Sequence, residues 1–211
     1  MKRLLCAALV AGAFVTGGAS AAIHFTTTLD SAQEVAPNVS TSPATGFGTL
    51  TLLGAPGSFS LAYTVTIDGL DLGPLTDGDA GTSPSDSNDV TGFHIHNAAR
   101  GVNGGVVYGI FGPDHDVNNN VSVTIHPNGS ATIVGSWDPV DGNPAGNINT
   151  FGPTMAGLTP GQDAPLYFNF HTVQFGGGAI RGQIVAVPEP GTWALLIAGL
   201  AGLLVFRRRI V

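Results

Sequence analysis

From Ser58 to Ile67 an apolar side chain recurs at every second position: Leu61, Tyr63, Val65 and Ile67. That spacing puts them on one face of an extended segment and leaves the other face polar, which is the pattern of a half-buried β-strand. Similar short runs recur along the chain, at Ile23 to Leu29, Gly46 to Leu53, Val90 to Asn97, Gly105 to Phe111, Val121 to Ile125, Ser130 to Trp137, Leu166 to Val173 and Ala179 to Val187. Turn chemistry separates several of them: Gly54-Ala55-Pro56-Gly57, His126-Pro127-Asn128-Gly129 and Gly176-Gly177-Gly178. With 31 glycines, 14 prolines and only 10% charged residues, the composition agrees. The pattern predicts an all-β fold, an antiparallel sandwich or barrel of about eight to nine strands. Between Asp138 and Pro165 it predicts irregular structure, with at most a helical turn over Met155-Ala156-Gly157-Leu158.

The two ends are of a different kind. Met1-Lys2-Arg3, the apolar Leu4 to Val15 and Ala19-Ser20-Ala21 have the three parts of a secretory signal peptide, expected over residues 1–22. Signal peptidase would then remove Cys6, the chain's single cysteine, and leave an exported domain without thiol or disulfide. At the other end, Val187-Pro188-Glu189-Pro190-Gly191 breaks the last strand. An uncharged apolar run from Thr192 to Phe206 follows, then Arg207, Arg208 and Arg209. Fifteen residues fall short of the roughly 20 that span a bilayer with ease, but flanking residues extend the run. A hydrophobic transmembrane helix over 192–206, inserted transiently and with its arginines on the cytoplasmic side, is expected.

The domain between, 23–186, carries thirteen acids against Arg100 and Arg181, a net charge of −11. So acidic a surface repels phosphate backbones, which excludes nucleic acid as a partner. Asp77, Asp79, Asp86 and Asp89 lie in a Gly/Ser/Pro-rich stretch that reads as a solvated insertion. A calcium loop is the alternative, but the spacing lacks the glutamate of an EF-hand.

Imidazoles mark the candidate site. In Thr91-Gly92-Phe93-His94-Ile95-His96-Asn97, His94 and His96 share one strand face while Phe93 and Ile95 take the other. In the strand from Leu166, His171 shares a face with Tyr167 and Asn169, opposite Leu166, Phe168 and Phe170. Two readings of these rings stand open. They form a polar face hydrogen-bonded to its surroundings, or His94, His96 and His171 hold copper or zinc, with His115 as a possible fourth ligand. Arg181 either pairs with a carboxylate such as Glu34 or draws an anion to the metal. Nucleophilic catalysis has no support, since there is neither a Gly-x-Ser-x-Gly elbow nor a surviving cysteine.

Three stretches together resemble the CHRD domain. They are Leu29-Asp30-Ser31-Ala32-Gln33-Glu34-Val35-Ala36-Pro37, then His94-Ile95-His96 with Gly101 to Val107, then Tyr167-Phe168-Asn169-Phe170-His171-Thr172 with Gly178 to Ile184. The resemblance implies an extracellular, all-β domain and no particular activity; the sandwich or barrel expected from the strand pattern is of immunoglobulin-like or Greek-key kind. Pro188-Glu189-Pro190, the apolar run and the arginine triplet resemble the PEP-CTERM sorting signal, which implies cleavage by exosortase during export to a bacterial cell surface. Gly92 to His96 is similar to the copper-binding strand of copper/zinc superoxide dismutase. That likeness implies roles for His171 and Arg181, but the chain has no match to that enzyme's cysteine pair or zinc loop.

Two functions follow as expectations. One is a non-enzymatic module, anchored in the membrane before sorting and then delivered to the surface or matrix, meeting extracellular polysaccharide or surface proteins. The other is a copper- or zinc-binding protein, dismutase-like in the extreme case.

Overall fold

The computed structural model of the chain describes residues 22–72, 86–112, 115–141, 146–189 and 191. Residues 1–21, Asp77 and Asp79, Pro190, the apolar run 192–206 and Arg207, Arg208 and Arg209 lie outside the described residues. Among the described residues no helix is long and apolar enough to cross a membrane.

Among the described residues nine strands make the body: β1 (Ile23–Leu29), β2 (Thr45–Leu53), β3 (Ser60–Asp68), β4 (Val90–Asn97), β5 (Gly105–Phe111), β6 (Ser122–Ile125), β7 (Ala131–Trp137), β8 (Asp163–Thr172) and β9 (Ile180–Val187). All pairings are antiparallel, in the order β5-β4-β8-β9-β1-β2-β3-β7-β6. The predicted all-β class and strand number are thus observed. Alternation is the cause: in β3, Leu61, Tyr63, Val65 and Ile67 are at most 2% exposed while Thr64 and Thr66 face solvent. The β2–β3 connection requires glycine at Gly54, where φ is +92° and a Cβ would lie 2.2 Å from the Ser58 carbonyl oxygen.

The sheet is curled, and its aromatic side chains show how far. β5 and β7 are seven places apart in the strand order, roughly 34 Å if the sheet lay flat. Yet Tyr108 of β5 stacks on Trp137 of β7 with ring centroids 5.2 Å apart, and its hydroxyl donates to the Ser136 carbonyl at 3.2 Å. Tyr63 meets both Tyr108 and Phe168 edge-on, and Phe168 stacks on Phe93. This seam closes a half-barrel through ring contacts where no strand ladder runs, and it excludes water from the concave side.

Beyond the expected helical turn, the region 138–165 holds a nine-residue helix, α1 (Ile148–Ala156). Composition argues against it, since Gly152 and Pro153 sit inside. Its start is fixed by a capping box, with the Asn147 side chain and Thr150 hydroxyl each bonding backbone amides of the first turn. Tertiary burial does the rest. Ile148, Phe151 and Met155 point into the core, Phe151 meets Trp137 at 5.7 Å, and a Cβ at Gly152 would strike the Phe59 ring.

Candidate metal centre

The core occupies one face of β4, β8 and β9, where Phe93, Ile95, Phe168, Phe170, Ile180 and Ile184 are buried. Strand alternation sends His94, His96, Tyr167, Asn169, His171, Arg181 and Gln183 to the opposite, convex face. Register brings them together: Gly92 lies beside His171, His94 beside Asn169 and His96 beside Tyr167, with Arg181 beyond Asn169. Connecting loops then cover this face. Arg181 Nη2 donates to the Ala99 carbonyl at 3.1 Å, Gln183 Nε2 to the Ala98 carbonyl at 3.2 Å, and Asn103 Nδ2 to the Val35 and Ala36 carbonyls. His94 and His96 are consequently only 6% and 7% exposed.

The three rings form a triangle with centroid separations of 4.8, 5.6 and 5.7 Å. Each uses one nitrogen on a glycine carbonyl, and each carbonyl belongs to a different loop. His94 Nε2 bonds Gly112 O at 2.9 Å, His96 Nδ1 bonds Gly104 O at 3.0 Å, and His171 Nδ1 bonds Gly176 O at 3.0 Å. A carbonyl only accepts, so each of these nitrogens carries the proton and the tautomer is fixed. The remaining nitrogens, His94 Nδ1, His96 Nε2 and His171 Nε2, are buried lone pairs with no hydrogen-bond partner.

One ligand nitrogen from each ring can be chosen so that all three lie within 4.8 Å of one another. Points that close have a common centre no more than ~2.8 Å from each, against the ~2.0–2.1 Å of a zinc–nitrogen bond. A shift of well under an ångström per ring closes the difference. The residues therefore fit a three-coordinate ion, and each ring already has the backbone acceptor that metal-binding histidines typically use to hold their orientation. His115 is not in the group. Its Nδ1 accepts from the Gly109 amide at 2.8 Å, although the ring is near enough to act on His94.

Burial is the largest influence on all three rings. It lowers His94 and His96 from the ordinary imidazole value to about 4, with repulsion from His171 adding to it and the glycine carbonyls opposing, and it lowers His171 as well. All three are neutral near pH 7, with lone pairs available without loss of a proton. Glu34 moves the other way: burial raises its carboxyl to about 7, against the pull of Arg181 and Asn169. Its oxygens lie beside Asn169 at the spot a Cβ on Gly178 would occupy, and neither has a well-formed hydrogen bond.

A pH dependence follows for the metal-free protein. Between about pH 6.5 and pH 4 the unfolded chain protonates His94 and His96 while the folded one does not, so stability falls as pH falls through this window. Each ring contributes on the order of a few kcal/mol. Glu34 has the opposite sign: its contribution is present below its ordinary value and lost as pH rises through about 7. Melting temperatures at pH 7.5, 5.5 and 4 should decline in that order, and Glu34→Gln should steepen the decline by removing the opposing group.

Arg181 forms no ion pair with Glu34. The salt bridge among the described residues joins Arg100 to Asp163 at 2.8 Å. The Arg181 guanidinium instead lies 3.5 Å over the Tyr167 ring, whose other neighbour is His96, stacked at 4.9 Å and 14°. The sequence places Tyr167 and Gly92 beside the histidines but assigns neither a role at the site. A Cβ at Gly92 would lie 2.8 Å from His94 Cε1, so glycine clears the room the imidazole fills. The Tyr167 hydroxyl accepts the Gly104 amide at 3.1 Å, and the carbonyl of that same glycine orients His96. Of the acidic stretch, Asp86 and Asp89 are described, and they bind each other locally, the Asp89 carboxylate accepting the Asp86 amide at 2.8 Å.

Comparison with known proteins supplies a family. The CHRD domain family matches residues 25–184, and the PEP-CTERM protein-sorting motif matches residues 186–209. That motif implies processing by exosortase during export. No curated protein and no solved structure gives a significant match to the chain. With its family matched over most of its length, the chain belongs to the CHRD domain family and carries a PEP-CTERM sorting motif behind the domain.

Proposed function

We propose that this protein is delivered to the bacterial surface as a metal-holding module, its β domain binding one copper or zinc ion through His94, His96 and His171. Two observations carry the reading together: the three rings offer ligand nitrogens within 4.8 Å of one another, and each ring has one buried nitrogen without a partner while its other nitrogen is tied to a backbone carbonyl. A merely structural polar face would be expected to spend those lone pairs on donors, because a buried acceptor without a partner costs about 1–3 kcal/mol. Binding rather than turnover is the role proposed, since only the His171 side of the triangle is more than marginally exposed. The sorting motif would place the module beside extracellular polysaccharide or other surface proteins, the partners within its reach.

Metal quantification after loading the purified protein with copper or zinc tests the site. About one equivalent per chain is expected, and less than a tenth would refute it. Delivery is tested separately. Deleting residues 187–211 should abolish exosortase processing and change the partition between membrane, surface and medium, read by fractionation and immunoblot. An unchanged partition would refute the sorting role.

A further inference from the structure

Resting on that reading of the histidine triangle, we infer that the ion this centre selects is monovalent copper, held by His94, His96 and His171 alone in a three-coordinate site. The argument is one of charge. All three donors are neutral imidazoles, and no carboxylate among the described residues hydrogen-bonds any of them: one nitrogen of each ring is on a glycine carbonyl and the other has no partner. The fixed charge nearest the group on its β9 side is a cation, Arg181, whose guanidinium lies 3.5 Å over the Tyr167 ring that stacks on His96 at 4.9 Å.

Charge counts heavily at such a place. The desolvation cost of an ion grows with the square of its charge, so a divalent ion pays about four times what a monovalent one pays in the same buried site. Neutral ligands return none of this as ion pairing. Arg181 adds repulsion on top: its guanidinium is 3.5 Å from the Tyr167 centroid, itself 4.9 Å from that of His96, and a unit charge on the order of 10 Å away at an effective dielectric near 20 disfavours each additional unit of metal charge on the order of tenfold. Glu34 offsets Arg181 only in part, because it lies against Asn169 and Gly178 and bonds neither the guanidinium nor any of the three rings. Coordination number points the same way. With His115 Nδ1 engaged on Gly109, three histidines hold zinc only with a water as fourth ligand, and with His94 and His96 6% and 7% exposed the site offers water little room. A closed-shell monovalent copper ion accepts three nitrogens without a fourth.

The test uses the full chain in mild detergent under anaerobic conditions. Monovalent copper affinity is read by competition with bicinchoninate, zinc affinity by competition with a chromophoric chelator, and the bound state by X-ray absorption and electron paramagnetic resonance. One monovalent copper per chain is expected, with a three-coordinate absorption edge, no paramagnetic signal, and binding at least 100-fold tighter than zinc. Arg181→Met should narrow that preference about tenfold, while Arg181→Lys, which keeps the charge and loses the planar stack, should largely preserve it. Zinc bound at one equivalent as tightly as copper would overturn the inference and leave the metal site standing, as would divalent copper that persists in ascorbate. Retention of neither metal would sink the site itself. Should Arg181→Met fail to fold, the wild-type copper-to-zinc ratio still decides.

Discussion

His94→Ala/His96→Ala is expected to hold less than a tenth of an equivalent of copper or zinc where the wild type holds one, with the β-sheet circular dichroism signal unchanged. Two of the three clustered imidazoles disappear, and His171 alone cannot chelate. The loss should exceed the ~10–100-fold that removal of a hydrogen-bonding partner costs a metal site. Fold retention is expected because both rings lie on the convex face, while the aromatic seam lies on the concave one. Truncation also relieves two buried imidazoles of their unpartnered nitrogens, which offsets part of the packing lost. His115→Ala is the matched control. Its ring is near His94 but already accepts the Gly109 amide, so the metal content should stay at one equivalent. Equal metal content in the double variant and the wild type would remove the triangle from consideration.

Trp137→Ala should be the most destabilising single change on the concave side, costing about 3–5 kcal/mol. Trp137 is 1% exposed and lies between Tyr108, stacked at 5.2 Å, and Phe151 of α1 at 5.7 Å. Its removal opens a cavity where the two halves of the curled sheet meet, so both the seam and the seat of α1 are lost. Against a total stability of about 5–15 kcal/mol, this leaves the domain near the threshold of folding. Tyr108→Phe keeps the ring and removes only the 3.2 Å bond to the Ser136 carbonyl, and should cost about 1 kcal/mol. Urea denaturation separates the two: a midpoint for Trp137→Ala no lower than that for Tyr108→Phe would refute the seam's role. The folded fraction of Trp137→Ala should still bind metal at full stoichiometry, since the rings sit on the other face.

Strand periodicity made most of the fold legible. A two-residue period is read directly from Leu61, Tyr63, Val65 and Ile67, and the same logic placed His94, His96 and His171 outside the core. What stayed hidden depended on long-range contacts. In α1, Ile148, Phe151 and Met155 have helical spacing, but Gly152 and Pro153 mask it, and only the proximity of Phe59 and Trp137 decides the outcome. The curl could not be read either, because nothing local says that Tyr108 and Trp137 touch. At the site, the ligand candidates were legible from residue type and alternation. Their orientation was not: it comes from backbone carbonyls, which leave no trace in side-chain identity. For the same reason the pairing expected of Arg181 with Glu34 gave way to Tyr167, whose ring is offered by register between β8 and β9.

The anchoring of three imidazoles by Gly104, Gly112 and Gly176 carbonyls has a consequence for how the domain can vary. An acceptor that is part of the main chain is encoded by the path of a loop rather than by a letter of the sequence. Apart from Gly104 and Gly112, where a Cβ would lie 2.0 and 2.6 Å from a backbone oxygen, point replacements along these three loops can alter solubility or contacts with other molecules and still present the same oxygens to the rings. Insertions and deletions cannot, because displacing one carbonyl by a residue turns the imidazole it holds. Loop length, with Gly104 and Gly112, is thus what the site demands of these loops, and the rest of their composition is left free by it.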